Sequence, residues 1–262
     1  MNNNNPFKIA IIGGGAMGSA LTLGLLKSDD CNPQLIAISN PHINKLKELE
    51  KTGIKISESN IEVIKDADLI FIAVKPWKVK EVVKEISPEI KDKDIEICFI
   101  VAGISIKELN QYINSPLLHF SVAMPNTAMR LGKSMTFLVT DGEECPKTLE
   151  TLGKVGKVRI IEERLLPAAT ALASCGIAYA MRYIRAAMEG GVELGFKASE
   201  AQNIITQTLE GAVALLDTPD AHPETEIDKV TTPGGLTIKG LNAMEKAGFS
   251  SAVIQGLKAS CL

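Results

Sequence analysis

Over the first 161 residues, short β-branched runs alternate with stretches of helical periodicity. Strand-like runs lie at 7–12, 35–38, 68–74, 95–101, 117–122, 135–139 and 158–161, and amphipathic helix candidates at 16–27, 42–51, 77–86, 105–113 and 146–153. Near-continuous apolar strands separated by helices predict an α/β doubly wound parallel sheet covered on both faces. From Glu162 the alternation stops. The remainder is rich in Ala, Leu, Met, Glu and Gly at helical spacing, so the pattern predicts two domains, 1–161 (α/β) and 162–262 (all-α). Residues 165–181 (LLPAATALASCGIAYAM) are apolar on nearly every helical face. A helix of that kind must be buried all round, and a domain of roughly 100 residues seldom encloses one alone. Burial in a subunit interface is the expectation, with an intramolecular core helix as the alternative.

Composition narrows the class. The 262 residues are 45% hydrophobic and 23% charged, which is ordinary usage for a folded soluble chain. With 28 basic against 31 acidic residues and 4% aromatics, the phosphate-neutralising excess and stacking surfaces of a nucleic-acid binder are missing. The five cysteines form no CxxC pair, which points to reduced thiols, a cytoplasmic setting and no zinc site. Three scattered histidines make a histidine-based metal centre unexpected. Residues 9–26 are uncharged but carry three consecutive glycines, and 109–129 contain Pro116, Pro125 and several asparagines. Neither is expected to span a membrane.

The motif Gly13-Gly14-Gly15-Ala16-Met17-Gly18 matches G-x-G-x-x-G between a strand and a helix, the context in which it marks a dinucleotide-binding, Rossmann-type fold. Gly13 permits a tight turn, Gly15 lets backbone approach a pyrophosphate, and Gly18 lets the helix pack on the strand. The helix N-terminus supplies N–H groups and positive dipole. At the next strand end the chain reads Ile38-Ser39-Asn40-Pro41, without the carboxylate that usually accepts from the ribose 2′-OH of NAD. Ser39 and Asn40 can donate to a 2′-phosphate and Lys45 is the nearest cation, so NADP(H) is expected, with NAD(H) as the alternative. A simple turn would account for Ser39-Asn40-Pro41 but not for the missing acid.

Further candidates fall at strand ends, where open α/β sheets bind ligands. They are Ala73-Val74-Lys75-Pro76, then Val101-Ala102-Gly103 with room for a flat ring, then Met124-Pro125-Asn126-Thr127. In the helical part, Val230-Thr231-Thr232-Pro233-Gly234-Gly235-Leu236-Thr237-Ile238 brings hydroxyls and free N–H groups toward one point, as an anion site for a carboxylate would. Helix capping by Thr231 or Thr232 is the plainer reading.

Taken together these motifs make the chain resemble the pyrroline-5-carboxylate reductases over nearly its full length, the Thr-Thr-Pro-Gly-Gly-Leu-Thr segment being the most specific. The resemblance implies NAD(P)H-dependent reduction of the cyclic imine 1-pyrroline-5-carboxylate to L-proline. It implies that Gly13–Gly18, Ser39, Asn40, Asn60, Ala73–Pro76 (Lys75 included) and Val101–Gly103 hold the dinucleotide. Thr232, Gly234, Gly235 and Thr237 are then expected at the substrate, as are Met124 and Asn126. Glu163 is also a candidate, although an exposed helix-start carboxylate would look the same. A homodimer or larger homo-oligomer is implied, with the active site between one subunit's dinucleotide domain and the partner's helices. Where the family usually reads Ser-Gly-Ser-Gly-Pro-Ala-Tyr, this chain has Ala173-Ser174-Cys175-Gly176-Ile177-Ala178-Tyr179, which puts the start of the long helix in question.

Because imine reduction needs orientation more than a strong acid, Thr237 and Lys75 are the expected catalytic residues. Thr237 would contact the ring nitrogen and Lys75 the nicotinamide ribose; a solvated lysine after a strand is the alternative reading of Lys75. Another dehydrogenase acting on a small hydroxy or keto acid, or a non-catalytic NADP-binding regulator, would share the first domain.

Overall fold

The computed structural model describes residues 6–113, 118–142 and 144–261. In chain order the first unit contains β1 (Ile9–Ile12), α1 (Ala16–Leu25), β2 (Ile36–Ser39), α2 (Lys47–Glu50), β3 (Lys55–Ser57), α3 (Asn60–Ile64), β4 (Leu69–Ile72) and α4 (Val79–Ile90). It continues with β5 (Ile95–Phe99), α5 (Ile106–Tyr112), β6 (Leu118–Met124), β7 (Ser134–Thr140), α6 (Pro146–Gly153), β8 (Gly156–Ile160) and α7 (Leu166–Ala169). The strands form one eight-stranded sheet in the order β3-β2-β1-β4-β5-β6-β7-β8.

Alternation along the strands builds the two faces. Ile70 and Ile72 join Val79, Val83 and Ile86 of α4 and Leu109 of α5 on one side. Leu69 and Phe71 turn the opposite way, toward Leu21 and Leu25 of α1 and Leu152 of α6. Each such fully buried side chain contributes about 1.5–3 kcal/mol. Phe99 and Phe120 meet edge to face at 6.3 Å between centroids, the favoured aromatic geometry.

The α/β architecture and the helical remainder are as the pattern predicted, with local differences. β3 and α3 have no counterpart among the expected runs, because three edge residues and a single turn give too short a period to register. The expected helix 42–51 is split into a 3₁₀ turn at Ile43–Lys45 and α2. β7 runs antiparallel to β6, and β8 is parallel to β7. The link between β6 and β7 holds only residues 125–133, too few for the crossover that parallel neighbours require. Residue 117 of the expected strand 117–122 lies outside the described residues.

Compactness divides the chain into Met1–Ser174 and Cys175–Leu262, whereas the expected break was at 161/162. The stretch after β8 packs with the first unit: Ser174 Oγ donates to the Pro125 carbonyl (3.0 Å), and Leu166 lies against the core. The second unit consists of α8 (Gly176–Glu193), α9 (Ala198–Leu215), α10 (Pro223–Lys229), α11 (Leu236–Lys246) and α12 (Phe249–Ala259). Thr170–Cys175 form a π-helical turn between α7 and α8, so the departing segment 173–177 is helical throughout. The run Glu163–Glu193 is long and apolar enough, by length and composition, to cross a membrane.

Candidate functional site

In the first unit β1, β2, β4, β5 and β6 are mutually parallel, so Ser39, Ala73, Val101 and Met124 come to one edge of the sheet. Strand order reverses between β2-β1 and β4-β5, the switch point at which doubly wound sheets bind nucleotides.

The glycine loop is anchored there. The N–H groups of Gly13 and Gly14 donate to the Ser39 carbonyl (3.1 and 2.8 Å). Gly13 has φ +102, and a Cβ on it would lie 2.6 Å from the Ala73 carbonyl. A Cβ on Gly18 would lie 2.1 Å from the Gly13 carbonyl oxygen, so the close strand–helix approach needs glycine at both positions. Gly15 is different: nothing lies within 4 Å of where its Cβ would be. It is the N-cap of α1 and offers no side-chain cap, so the first N–H groups of α1, at Ala16 and Met17, are left for an anionic ligand. This open approach, beside a helix N-terminus and two closed glycine contacts, fits a dinucleotide pyrophosphate.

At the end of β2 the arrangement departs from expectation. Ser39 is fully buried, and its Oγ donates to Asn60 Oδ1 (2.7 Å), so the hydroxyl is not held out to a ligand. Asn40 is 8% exposed, and its Oδ1 accepts from the His42 N–H (2.9 Å). Asn60 Nδ2 in turn donates to Glu85 Oε2 (2.8 Å). The corner thus carries a carboxylate after all, brought by α4 from outside the β2 segment. No local pattern could have found it, because Glu85 lies 25 residues beyond Asn60.

Lys75 is exposed at the N-cap of the 3₁₀ turn Pro76–Lys78. Ala102 and Gly103 are exposed, with Gly103 at φ +78. Two expected substrate residues are occupied structurally. Asn126 is 6% exposed; its Oδ1 accepts from Ala128 N–H (3.0 Å) and its Nδ2 donates to the Ala173 carbonyl (3.2 Å), which pins the 173–174 segment to this loop. Glu163 Oε1 accepts from Ile106 N–H (2.7 Å) at the start of α5, beside the Ser105–Glu108 capping box. The Ser105 bonds hold the Glu108 carboxyl below its usual range. Met124 is buried at 9% exposure.

In the helical unit, the Gly235 N–H donates to the Thr232 carbonyl (2.9 Å), Gly234 has φ +70, and Gly235 is an N-cap without a side-chain partner. The N–H groups of Leu236 and Thr237, at the start of the eleven-residue α11, thus face outward, and Thr232, Gly234 and Thr237 are exposed. Thr231 Oγ1 donates to the Ile227 carbonyl (2.7 Å) and so closes α10 rather than capping α11. Tyr179 ties α8 to α12 through its hydroxyl, bonded to Gly256 O (3.2 Å) and to Ser260 Oγ.

Residues 163–262 match the family profile described as pyrroline-5-carboxylate reductase dimerisation, and residues 8–95 match that of NADP oxidoreductase, coenzyme F420-dependent. The chain is 35% identical to pyrroline-5-carboxylate reductase 1 of Dictyostelium discoideum, with 96% of this chain and 48% of that protein aligned. It is 34% identical to reductase 2 of the same organism, over 98% of this chain and 90% of the relative. It therefore spans about half the length of the first relative and most of the second. Among solved structures it is similar to Plasmodium falciparum pyrroline carboxylate reductase with NADP bound, at TM-score 0.86 and 26% identity, covering 100% of this chain and 97% of the other.

Proposed function

The chain belongs to the pyrroline-5-carboxylate reductase family, and from that premise we propose how its residues serve the reaction. The protein is an NADP(H)-dependent oxidoreductase that reduces 1-pyrroline-5-carboxylate to L-proline, the last step of proline biosynthesis. The observation that carries this reading is that the sheet unit holds an open, uncapped glycine loop at a switch point, and the helical unit separately holds an uncapped glycine bend, at Gly234–Gly235, suited to a small carboxylate.

When bound, NADPH supplies the hydride for the imine carbon. The chain supplies orientation. Backbone at Gly13–Gly18 takes the pyrophosphate at the N-terminus of α1. Asn40 and Asn60 face the adenosine ribose, and Ala73–Pro76 and Val101–Gly103 line the rest of the groove. Lys75 contributes positive field beside the nicotinamide ribose. The N–H groups after Gly235 hold the substrate carboxylate, Thr232 and Thr237 flank it, and the Thr237 hydroxyl meets the ring nitrogen. If the substrate binds as its iminium, its nitrogen already carries the proton, so a positioned hydroxyl suffices and the protein need not supply a strong acid. Asn126 and Glu163 act by holding the loops around them.

We further propose a cytoplasmic homodimer or larger homo-oligomer, in which the apolar surface of the helical unit, including α8, is covered by a second copy. Two readouts test the function: NADPH oxidation with pyrroline-5-carboxylate, and the same assay with other cyclic imines and keto acids. Preferred turnover of the pyrroline supports the assignment. Preferred turnover of a keto acid makes the protein a different dehydrogenase, and NADPH binding without turnover of any substrate makes it a regulator.

A further inference from the structure

The acid at the adenosine end of the groove is not where doubly wound folds usually keep it. The end of β2 carries Ser39 and Asn40, while Glu85 reaches the same corner from α4 through Asn60. The bonds fix the geometry of that amide. A carboxylate only accepts, so Asn60 must turn Nδ2 to Glu85, which leaves Oδ1 for the Ser39 hydroxyl. Ser39 in turn holds the glycine loop through its carbonyl. One Nδ2 hydrogen is used on Glu85 and the second is left for a ligand.

We propose that Glu85 is a positioning and specificity residue for the dinucleotide: it sets Asn60 with a donor toward the adenosine ribose, and its negative charge reduces the preference for a 2′-phosphate. This rests on the cofactor reading given above. Holding Asn60 serves NADH and NADPH alike, because both carry the ribose. The charge acts chiefly on NADPH and the bisphosphate, because their 2′-phosphate adds about −1.5 to −2 charge at neutral pH on the ribose beside this corner, where a free hydroxyl tolerates a carboxylate. The 5′-phosphates that all four probes share go to the glycine loop. Glu85 is exposed on α4, so its substitution leaves the core untouched.

The test is direct binding to the unliganded protein by calorimetry, with NADPH, NADH, adenosine 2′,5′-bisphosphate and 5′-AMP as probes, alongside KM for each cofactor. In Glu85→Gln the side-chain amide oxygen still accepts from Asn60 but the charge is gone. NADPH and the bisphosphate should bind about five- to tenfold tighter, tenfold being about 1.4 kcal/mol, with NADH and 5′-AMP changed less than twofold. In Glu85→Leu the acceptor is lost as well, and NADH and 5′-AMP should weaken several-fold while kcat at saturating cofactor stays near wild type. An unchanged NADPH:NADH ratio in Glu85→Gln, or weaker bisphosphate binding, overturns the charge role. Unaltered NADH affinity in Glu85→Leu overturns the positioning role. Failure of the wild-type protein to bind either dinucleotide would instead overturn the cofactor reading itself.

Discussion

Gly15 and Gly18 sit three residues apart in one loop, yet alanine at each should have opposite consequences. A Cβ on Gly18 would fall 2.1 Å from the Gly13 carbonyl oxygen and 3.2 Å from Ile11 Cγ2. The obstruction is largely backbone, so α1 must withdraw from β1, and overpacking of this kind costs about 1–3 kcal/mol. At roughly 2–4 °C per kcal/mol for a unit of this size, Gly18→Ala should lower the melting temperature by several degrees. A Cβ on Gly15 meets nothing within 4 Å, and its φ −86 and ψ −160 suit any residue. The stiffer unfolded chain favours alanine there and the weaker N-cap disfavours it, so the two effects offset to within about 1 kcal/mol. The methyl group instead fills the space by which a pyrophosphate reaches the first N–H groups of α1. Loss of one or two charge-assisted hydrogen bonds at about 1.5–3 kcal/mol each weakens NADPH binding by roughly a hundredfold. At a concentration one hundred times the wild-type Kd, NADPH protects the wild type by about 2.7 kcal/mol, and Gly15→Ala by only about 0.4. Thermal unfolding with and without NADPH, together with a binding titration, reads both quantities. Wild-type NADPH affinity in Gly15→Ala would show that the pyrophosphate does not approach this loop.

The buried Glu96 carboxylate accepts from Lys147 N–H (2.9 Å), Thr148 N–H (2.8 Å) and Thr148 Oγ1 (2.9 Å), so it caps α6. Glu96→Ala strands those donors and should cost about 3–5 kcal/mol in urea unfolding; a loss below about 1 kcal/mol would refute the capping role. Lys75→Met should weaken NADPH binding or slow turnover with no change in melting temperature; if kinetics and affinity both stay at wild-type values, Lys75 is outside the site. Thr237→Ala should lower turnover or raise the pyrroline KM strongly while the NADPH Kd holds, and unchanged steady-state kinetics would remove the hydroxyl from the reaction. Dilution should separate the copies and raise the pyrroline KM before it affects the NADPH Kd; sedimentation and kinetics that are both independent of protein concentration would refute the proposed assembly.

The glycine loop was legible because its spacing follows a β-branched run and opens an amphipathic one, and both are local signals. The acid at Glu85 was not legible. Ser39, Asn60 and Glu85 converge only once β2, α3 and α4 have packed, and no short-range period encodes that meeting. Asn126 illustrates the converse. A polar residue in a loop at a strand end reads as a ligand contact, yet both ends of its amide are bonded to Ala128 and Ala173. Hydrophobic alternation identifies which residues of β7 face inward but carries nothing about strand direction; the brevity of 125–133 decides that. Glu96, the single charge in an otherwise apolar β5, reads as a blemish until its partners at the head of α6 are known.

The two units bury apolar surface in different ways, and that difference bears on function. The sheet unit has a filled core on each face, so it can hold a rigid dinucleotide groove by itself. Among the described residues of the helical unit Ala201 is the buried hydrophobic one, while Leu194 and Leu236 are 84% and 87% exposed, and Met181, Val213, Val253 and Ile254 are exposed too. Tyr179, Tyr183, Ala187, Met244, Phe249 and Val253 line an apolar groove of about 720 Å³ within it. Monomeric proteins rarely leave apolar surface of this extent in water. The match of this region to a dimerisation profile supports a second copy as the cover. If so, the helices on either side of the Thr231–Thr237 bend, α10 and α11, gain packing on association. On the proposed function, substrate anchoring is thereby coupled to assembly, whereas the glycine loop is held within the sheet unit by the ends of β1, β2 and β4.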